Sequence, residues 1–304
     1  MELRHIRYFI VVAEEKSFTK AALRLGISQP PLSMQIKNLE DEIGTELFYR
    51  SAQGVELTPA GEAFLLSVQP IQQRVNDAMQ LAQQVANGES GQLRLGFTGT
   101  SMLNLLLPKS IRLFQQHYPK IRLKLEEANS LVLMDRLLED QLDIALVRPP
   151  EHVPAGLSLQ LLMHEPMLAV LPSGHPLAHQ TSIELNALKQ DNFILSPPSI
   201  SAGLFDAITN ACRSHGFEPK IGQNAPQIVS IVSLVAANLG VSLVPDSTKQ
   251  LGITGVKYLD IQPPKPMVSL ALAYRKNTHS QPAINFASLI QSLKMQHNHN
   301  HHDL

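Results

Sequence analysis

Residues 17 to 43, SFTKAALRLGISQPPLSMQIKNLEDEI, leave this chain few ways to fold. Ala21 and Ala22 are small enough for a second helix to cross closely, Leu23 and Leu25 supply apolar contact, and Gly26 admits the positive φ that ends a helix sharply. Ser28 is expected to cap the next helix. Pro30 and Pro31 fall in its first turn, where backbone N–H groups have no intrahelical acceptor to lose. Leu32, Ile36, Leu39 and Ile43 then recur at the spacing of one buried stripe. The opposite face carries Gln29, Ser33, Met34 and Lys37. Glutamine can bond both edge positions of adenine in the major groove, and serine or lysine can take phosphate or base contacts, so this face suits base reading from a helix N-terminus. An ordinary helical hairpin with a polar outside has the same pattern.

The surrounding sequence separates the two readings. MELRHIRYFIVVAEEKSFTKAALRLGISQPPLSMQIKNLEDEIGTELFYR, followed by VELTPAGEAFL, resembles without a gap the winged helix-turn-helix of LysR-type transcriptional regulators. The resemblance implies a module that binds double-stranded DNA, with Lys20, Ser28, Gln29, Pro30, Ser33, Met34, Lys37 and Arg50 at the interface. Many relatives carry Arg where this chain has Met34. Within the module, Leu3, Ile6, Phe9, Ile10 and Ala13 form the apolar stripe of a first helix. Short extended runs at 47 to 50 and 55 to 58 around Gly54 make a hairpin-like wing, with Arg50 placed for a phosphate or the minor groove.

Charge limits how such a module can bind. Through residue 62, Arg4, Arg7, Lys16, Lys20, Arg24, Lys37 and Arg50 face nine acidic residues, so the segment is net acidic. Non-specific DNA affinity comes mostly from phosphate neutralisation; binding must therefore rest on where Lys20, Lys37 and Arg50 sit, or on two modules acting together. An oligomer is expected.

Thr58-Pro59 opens a long helix, with Thr as cap and Pro at the first position. Phe64, Val68, Ile71, Val75, Ala78, Ala82 and Val85 recur at alternating spacings of 4 and 3, while glutamines fill the other faces. At about 1.5 Å per residue the helix spans roughly 40 Å and outruns a small domain. The stripe is expected to meet a partner helix, with packing on its own domain as the alternative, and a kink is expected at Pro70. The sequence NGES at 87 to 90 is a polar break and a candidate hinge.

Beyond it strands and helices alternate. Strands are predicted at 92 to 97, 121 to 127, 142 to 147, 167 to 171, 193 to 195, 241 to 244 and 268 to 274, with helices at 103 to 117, 131 to 139, 202 to 215, 227 to 238 and 282 to 294. The continuous apolar run 142 to 147 is of the kind parallel strands show when buried on both faces. Two such units joined by crossings near 163 to 166 and 264 to 268 would enclose a cleft. Thr98, Thr100 and Ser101 lie where the first strand turns into a helix, an anion seat or a plain capping turn. Ser130 opens the second helix in the same way. Arg148 follows the buried strand at its carboxyl end, where open α/β sheets place ligands; it can hold a carboxylate bidentately or stand as a loop charge.

The segments QLRLGFTGTSMLNLLLP, LDIALVRPP, EPMLAVLPSGHPLA and SLVAANLGVSLVP, in that order, are similar to the LysR-type effector domain, nearest in kind to the branch that answers to aromatic acids and muconate. The resemblance implies that Thr98, Thr100, Ser101, Ser130 and Arg148 line an effector site, faced by Ser199, Ser201, Leu204 and Phe205. Asn238 stands where relatives often have Gly, with Gly240 offering a helix end.

The expected fold is mixed: an N-terminal all-α winged helix-turn-helix (1–58), a linker and dimerisation helix (59–88), and a bilobed, periplasmic-binding-protein-like α/β effector domain (89–304). Lobe I takes about 89–163 and 268–295, and lobe II about 164–267. With 304 residues, 44% of them hydrophobic, the chain can build two or three cores. It shows no 18-residue apolar run and no secretory signal, so a cytoplasmic protein without a membrane contact is expected. One cysteine, Cys212, disfavours redox sensing through a disulfide pair. No nucleotide motif, catalytic set or cofactor is recognised. The tail with His297, His299, His301 and His302 is a polar terminal tract, not an assigned metal site. These features predict a non-enzymatic regulator responsive to a small, carboxylate-bearing effector. As the resemblance implies, it would form homodimers and homotetramers on interrupted inverted repeats and contact RNA polymerase. The alternative is a small-acid-binding protein without regulatory role.

Overall fold

Aromatic packing explains why the first helices close into one core. Phe9 lies 5.1 Å from Phe48 and 5.0 Å from Phe64, ring centre to ring centre, and Phe18 stacks edge-on to Phe48. These rings join α1 (Leu3–Glu15), α2 (Phe18–Leu25), α3 (Gln29–Ile43), the hairpin of β1 (Phe48–Ser51) and β2 (Gly54–Leu57), and the start of α4 (Pro59–Ala86). The structure, a computed structural model, describes residues 1–51, 54–150 and 152–299. It divides into the units Met1–Gln84 and Val85–Leu304.

Ser17 caps α2, and Gly26 ends it in the left-handed region at φ 71°. Leu32, Ile36 and Leu39 are fully buried, as the stripe requires. Three apolar residues of the sequence reading face solvent instead: Leu3, Ile43 and Leu23, the last 83% exposed. Leu23 sits on the outer side of α2, and Leu25 makes the apolar contact with the core. Ser28 occupies the cap position of α3 with extended backbone, yet its side chain makes no capping bond. The reason lies in the two prolines. A cap oxygen accepts from the second or third N–H of the helix, and Pro30 and Pro31 hold those positions without an N–H.

Thr58 caps α4 as expected, its Oγ1 accepting from Gly61 N at 2.9 Å and donating to the Glu46 carbonyl at 2.8 Å. The 28-residue helix continues through Pro70 as one element. Its predicted stripe divides. Phe64 and Val68 pack into the core of their own unit, whereas Ile71 and Val85 are exposed together with Leu66, Met79 and Leu81. The polar break at 87 to 90 is anchored: Asn285 Nδ2 donates to the carbonyls of Asn87 and Gly88. A Cβ on Gly88 would lie 2.8 Å from the Gln281 backbone.

In the second unit, lobe I is built on β4 (Lys120–Glu127), β3 (Ser90–Phe97) and β5 (Ile144–Val147), which run parallel, with β12 (Met267–Arg275) antiparallel beside β5. The helices are α5 (Gly99–Met102), α6 (Leu106–His117), α7 (Ser130–Leu138) and α10 (Gln281–His299). All four residues of β5 are buried, and they alternate between two cores. Ile144 and Leu146 join Phe114 and Phe286 on one side, and Ala145 and Val147 join Leu133 and Leu137 of α7 on the other.

The 16-residue strand β6 (Leu157–Pro172) joins the lobes. Its first part pairs with β12, and its last six residues, Met167 to Pro172, pair with β10 (Ser242–Pro245) and β11 (Val256–Ile261). Lobe II is completed by β7 (Ser182–Ile183), β8 (Asn192–Leu195), α8 (Pro198–Ser214), β9 (Lys220–Asn224) and α9 (Ile228–Ala236). The predicted strand 167 to 171 covers only the last third of β6, and β7, β9 and β11 are not predicted. All five residues of β9 are exposed, so it lacks the apolar run that marks a strand. After α9 the left-handed position belongs to Asn238 itself, at φ 62°, not to Gly240; Asn tolerates that region better than most side chains. Among the described residues no helix is long and apolar enough to cross a membrane. His301 and His302 lie outside the described residues.

Candidate functional site

On α3, Gln29, Pro30, Met34 and Lys37 are exposed and Ser33 is half-buried; Ser28 and, on α2, Lys20 are also exposed. Arg50 is not free in this arrangement. Its Nη1 donates to Ser33 Oγ at 3.1 Å, its Nη2 lies 3.4 Å from Glu40 Oε2, and its guanidinium sits 4.9 Å from the centre of the Phe18 ring. The wing arginine thus folds back onto the helix that carries Gln29. Glu40, counted from sequence only as an acidic charge, is 8% exposed and accepts the N–H groups of Leu47 and Phe48 at 2.9 and 3.2 Å. It fixes the start of the wing to α3. Its signal in the sequence was position: it stands directly after Leu39 on the buried side of the helix.

Between the lobes of the second unit lies a cavity of about 680 Å³. Thr98, Thr100, Ser130, Arg148, Ser201 and Leu204, six of the nine candidates, line it. Three other candidates do not. The hydroxyl of Ser101 is turned into the protein and donates to the Thr98 carbonyl at 2.7 Å. Ser199 is exposed on the first turn of α8, and Phe205, the next residue after Leu204, points into the core of lobe II. The helix start near them is irregular, since Ser201 departs from helical geometry at φ −139° and ψ 68°. Sequence periodicity cannot register such a break.

Each hydroxyl has a local cause. Thr98 caps α5, its side chain accepting from Ser101 N. Ser130 follows the cap residue Asn129, which accepts from Val132 N at 3.0 Å, and this leaves the Ser130 Oγ to accept from Arg148 N at 3.2 Å. Strand β5 ends there, and its carboxyl end delivers Arg148 into the wall with only 2% of its surface exposed. The guanidinium is neither a loop charge nor an open fork. Nε donates to Thr100 Oγ1 at 2.9 Å and Nη2 to Glu165 Oε2 at 2.7 Å, while Nη1 is buried without a partner among the described residues. Burial lowers the Arg148 pKa from its usual value, and the charge of Glu165 opposes that shift. Glu165 in turn accepts Ser247 N at 2.7 Å through its other oxygen. It sits on β6 where the strand passes between the lobes, paired with Val268.

Sequence reasoning missed Glu165. Its one signal was a lone carboxylate amid the apolar residues of a strand, which calls for a buried partner. The reading also missed Ser196, whose buried Oγ lacks a partner among the described residues, and Glu127. Among the described residues no group of His, Cys, Asp and Glu has the arrangement of a metal site. Cys212 is fully buried, and that burial pushes its thiol up to about 12.

A reading helix braced by a wing, followed by a two-lobed α/β unit with a cleft, defines a ligand-responsive DNA-binding regulator. Residues 3–62 match the bacterial regulatory helix-turn-helix proteins of the lysR family, and residues 86–294 match the LysR substrate binding domain. The chain belongs to the LysR family of transcriptional regulators. It is 36% identical over 283 residues to the uncharacterized HTH-type transcriptional regulator YnfL of Escherichia coli (strain K12), which covers 93% of this chain and 95% of that protein. It is 34% identical over 282 residues to the HTH-type transcriptional regulator BenM of Acinetobacter baylyi, covering 92% of each. The crystal structure of CbnR, a LysR family transcriptional regulator, superposes with a TM-score of 0.80 at 25% identity, covering 95% of this chain and all of that one. BenM is no more similar than YnfL, so the aromatic-acid and muconate branch is not singled out. The relatives are named transcriptional regulators, and the chain is a regulator, not an enzyme. An acid-binding protein without regulatory role would not carry residues 3–62 in this form.

Proposed function

We propose that this regulator senses a small organic acid in the cleft between its lobes and passes the signal to paired winged helices on DNA. The observation that carries the reading is the buried Arg148 in the cavity wall with Nη1 unsatisfied, beside the hydroxyls of Thr98, Thr100 and Ser130. An unmade bond on a buried charged donor is costly, and a carboxylate oxygen would relieve it. Gln29, Ser33 and Met34 would meet base edges. Ser28, whose hydroxyl the prolines leave without a helix partner, would meet phosphate together with Lys20, Pro30 and Lys37. Arg50 would exchange its bond to Ser33 for a phosphate when DNA arrives. Homodimers formed through the exposed part of α4, paired as tetramers, would span interrupted inverted repeats, and the effector would alter their geometry and their contact with RNA polymerase. The cytoplasm is the compartment such a function requires.

A thermal-shift screen of the full chain against aromatic and aliphatic carboxylic acids tests the sensing step, since a ligand that binds only the folded state raises Tm. Stabilisation by acids but not by the corresponding alcohols is expected. A best ligand that is uncharged or cationic would overturn the acid reading.

A further inference from the structure

The charges around the cleft also bear on how many charges its ligand carries. Among the described residues lining the cavity, Arg148 alone is cationic, and Glu127 on the same wall is anionic. Directly behind Arg148 stands Glu165, with side-chain exposures of 2% and 4% in the pair and 2.7 Å between Nη2 and Oε2. An incoming anion therefore meets an ion pair, not an isolated cation. The pair's fields largely cancel beyond a few ångströms, so attraction is confined to the immediate neighbourhood of Arg148. A second negative charge elsewhere in the cavity finds no counterion among the described lining residues. It finds Glu127, close enough to the α5 start that a Cβ on Gly99 would lie 2.8 Å from its Oε1. Much of the remaining wall is apolar: Met102, Leu103, Ile200, Leu204, Ile228 and Val229.

We infer that the cleft selects monoanions, taking one carboxylate beside Arg148 and an uncharged remainder against the apolar wall, and that Glu165 and Glu127 exclude dianions. This rests on the acid-sensing reading above and narrows it to a charge class. Glu165, bonded to Arg148 and to the Ser247 N–H, sets ligand specificity through its charge without lining the cavity itself.

The experiment is calorimetry on the full chain with probes of matched shape: 4-methylbenzoate, terephthalate and 4-methylbenzyl alcohol in one frame, hexanoate and adipate in another. In whichever frame the cavity accepts, the monoanion should bind at least about tenfold more tightly than the dianion. Glu165→Gln keeps the side-chain shape and one acceptor while removing the charge, and it should narrow that ratio to less than about threefold. Glu127→Gln, at an exposed position with no packing to lose, should narrow it in the same direction and carries the test should the buried variant not fold. A dianion bound as tightly as its monoanion, or a ratio unchanged in both variants, would overturn the charge inference and leave acid sensing standing. The alcohol binding as well as the acid, or no acid binding in either frame, would overturn acid sensing and this inference with it.

Discussion

At the scale of single residues, Arg148 changes what a mutation can be expected to do. Its partner Glu165 is as deeply buried, so Arg148→Ala strands a carboxylate in the wall and should cost about 3–5 kcal/mol of stability, seen as a lower urea midpoint. Arg148→Met combined with Glu165→Gln removes both charges and leaves an acceptor for Ser247; it should recover most of that loss yet bind acids roughly tenfold to a hundredfold more weakly. Equal stability of Arg148→Ala and wild type would mean the pair is not closed in solution. Cys212 gives a second test. With the thiol pushed up to about 12, only about one molecule in a few thousand is thiolate at pH 8.5, against about half in an unfolded chain. Iodoacetamide should leave Cys212 unmodified in the folded protein and label it rapidly in urea; rapid native labelling would show an open lobe II.

Elements join residues that are far apart in the chain. Helix α3 has two sides with different tasks. Its buried side ends in Glu40, which holds the wing through two backbone N–H groups, so Glu40→Ala should cost about 1–3 kcal/mol and weaken binding to all DNA sequences by freeing the wing. A variant as stable as wild type would show that water replaces the carboxylate without loss. Its outer side begins with Gln29, and Gln29→Ala is expected to lose about 1–3 kcal/mol on the specific site and little on random DNA in gel-shift titrations. Matching losses on both sequences would remove Gln29 from base reading.

For the whole molecule the open question is what covers α4. Leu66, Ile71, Met79, Leu81 and Val85 remain exposed along it, Leu66 at 73%, and a partner chain is the proposed cover. Ile71→Asp would place an unpaired charge in the proposed dimer contact, so it should sediment as a monomer and lose affinity for paired half-sites. Sedimentation unchanged from wild type would leave this face without a partner chain.

Local order was legible in the sequence because its causes are local. The stripe Leu32–Ile36–Leu39 follows from helical spacing, the end of α2 from Gly26, the start of α4 from Thr58-Pro59, and the strand before Arg148 from an apolar run buried on both faces. The same patterns placed Thr98, Thr100, Ser130 and Arg148 at one end of a sheet, where they line one cavity. What the tertiary structure decided was which charges meet. Glu165 follows Arg148 by 17 residues and faces it only because β6 runs through both lobes; Arg50 reaches Ser33 only because Glu40 fixes the wing. Ion pairs leave no period in a sequence, since Coulomb attraction depends on distance in space and burial, both set after the strands have packed.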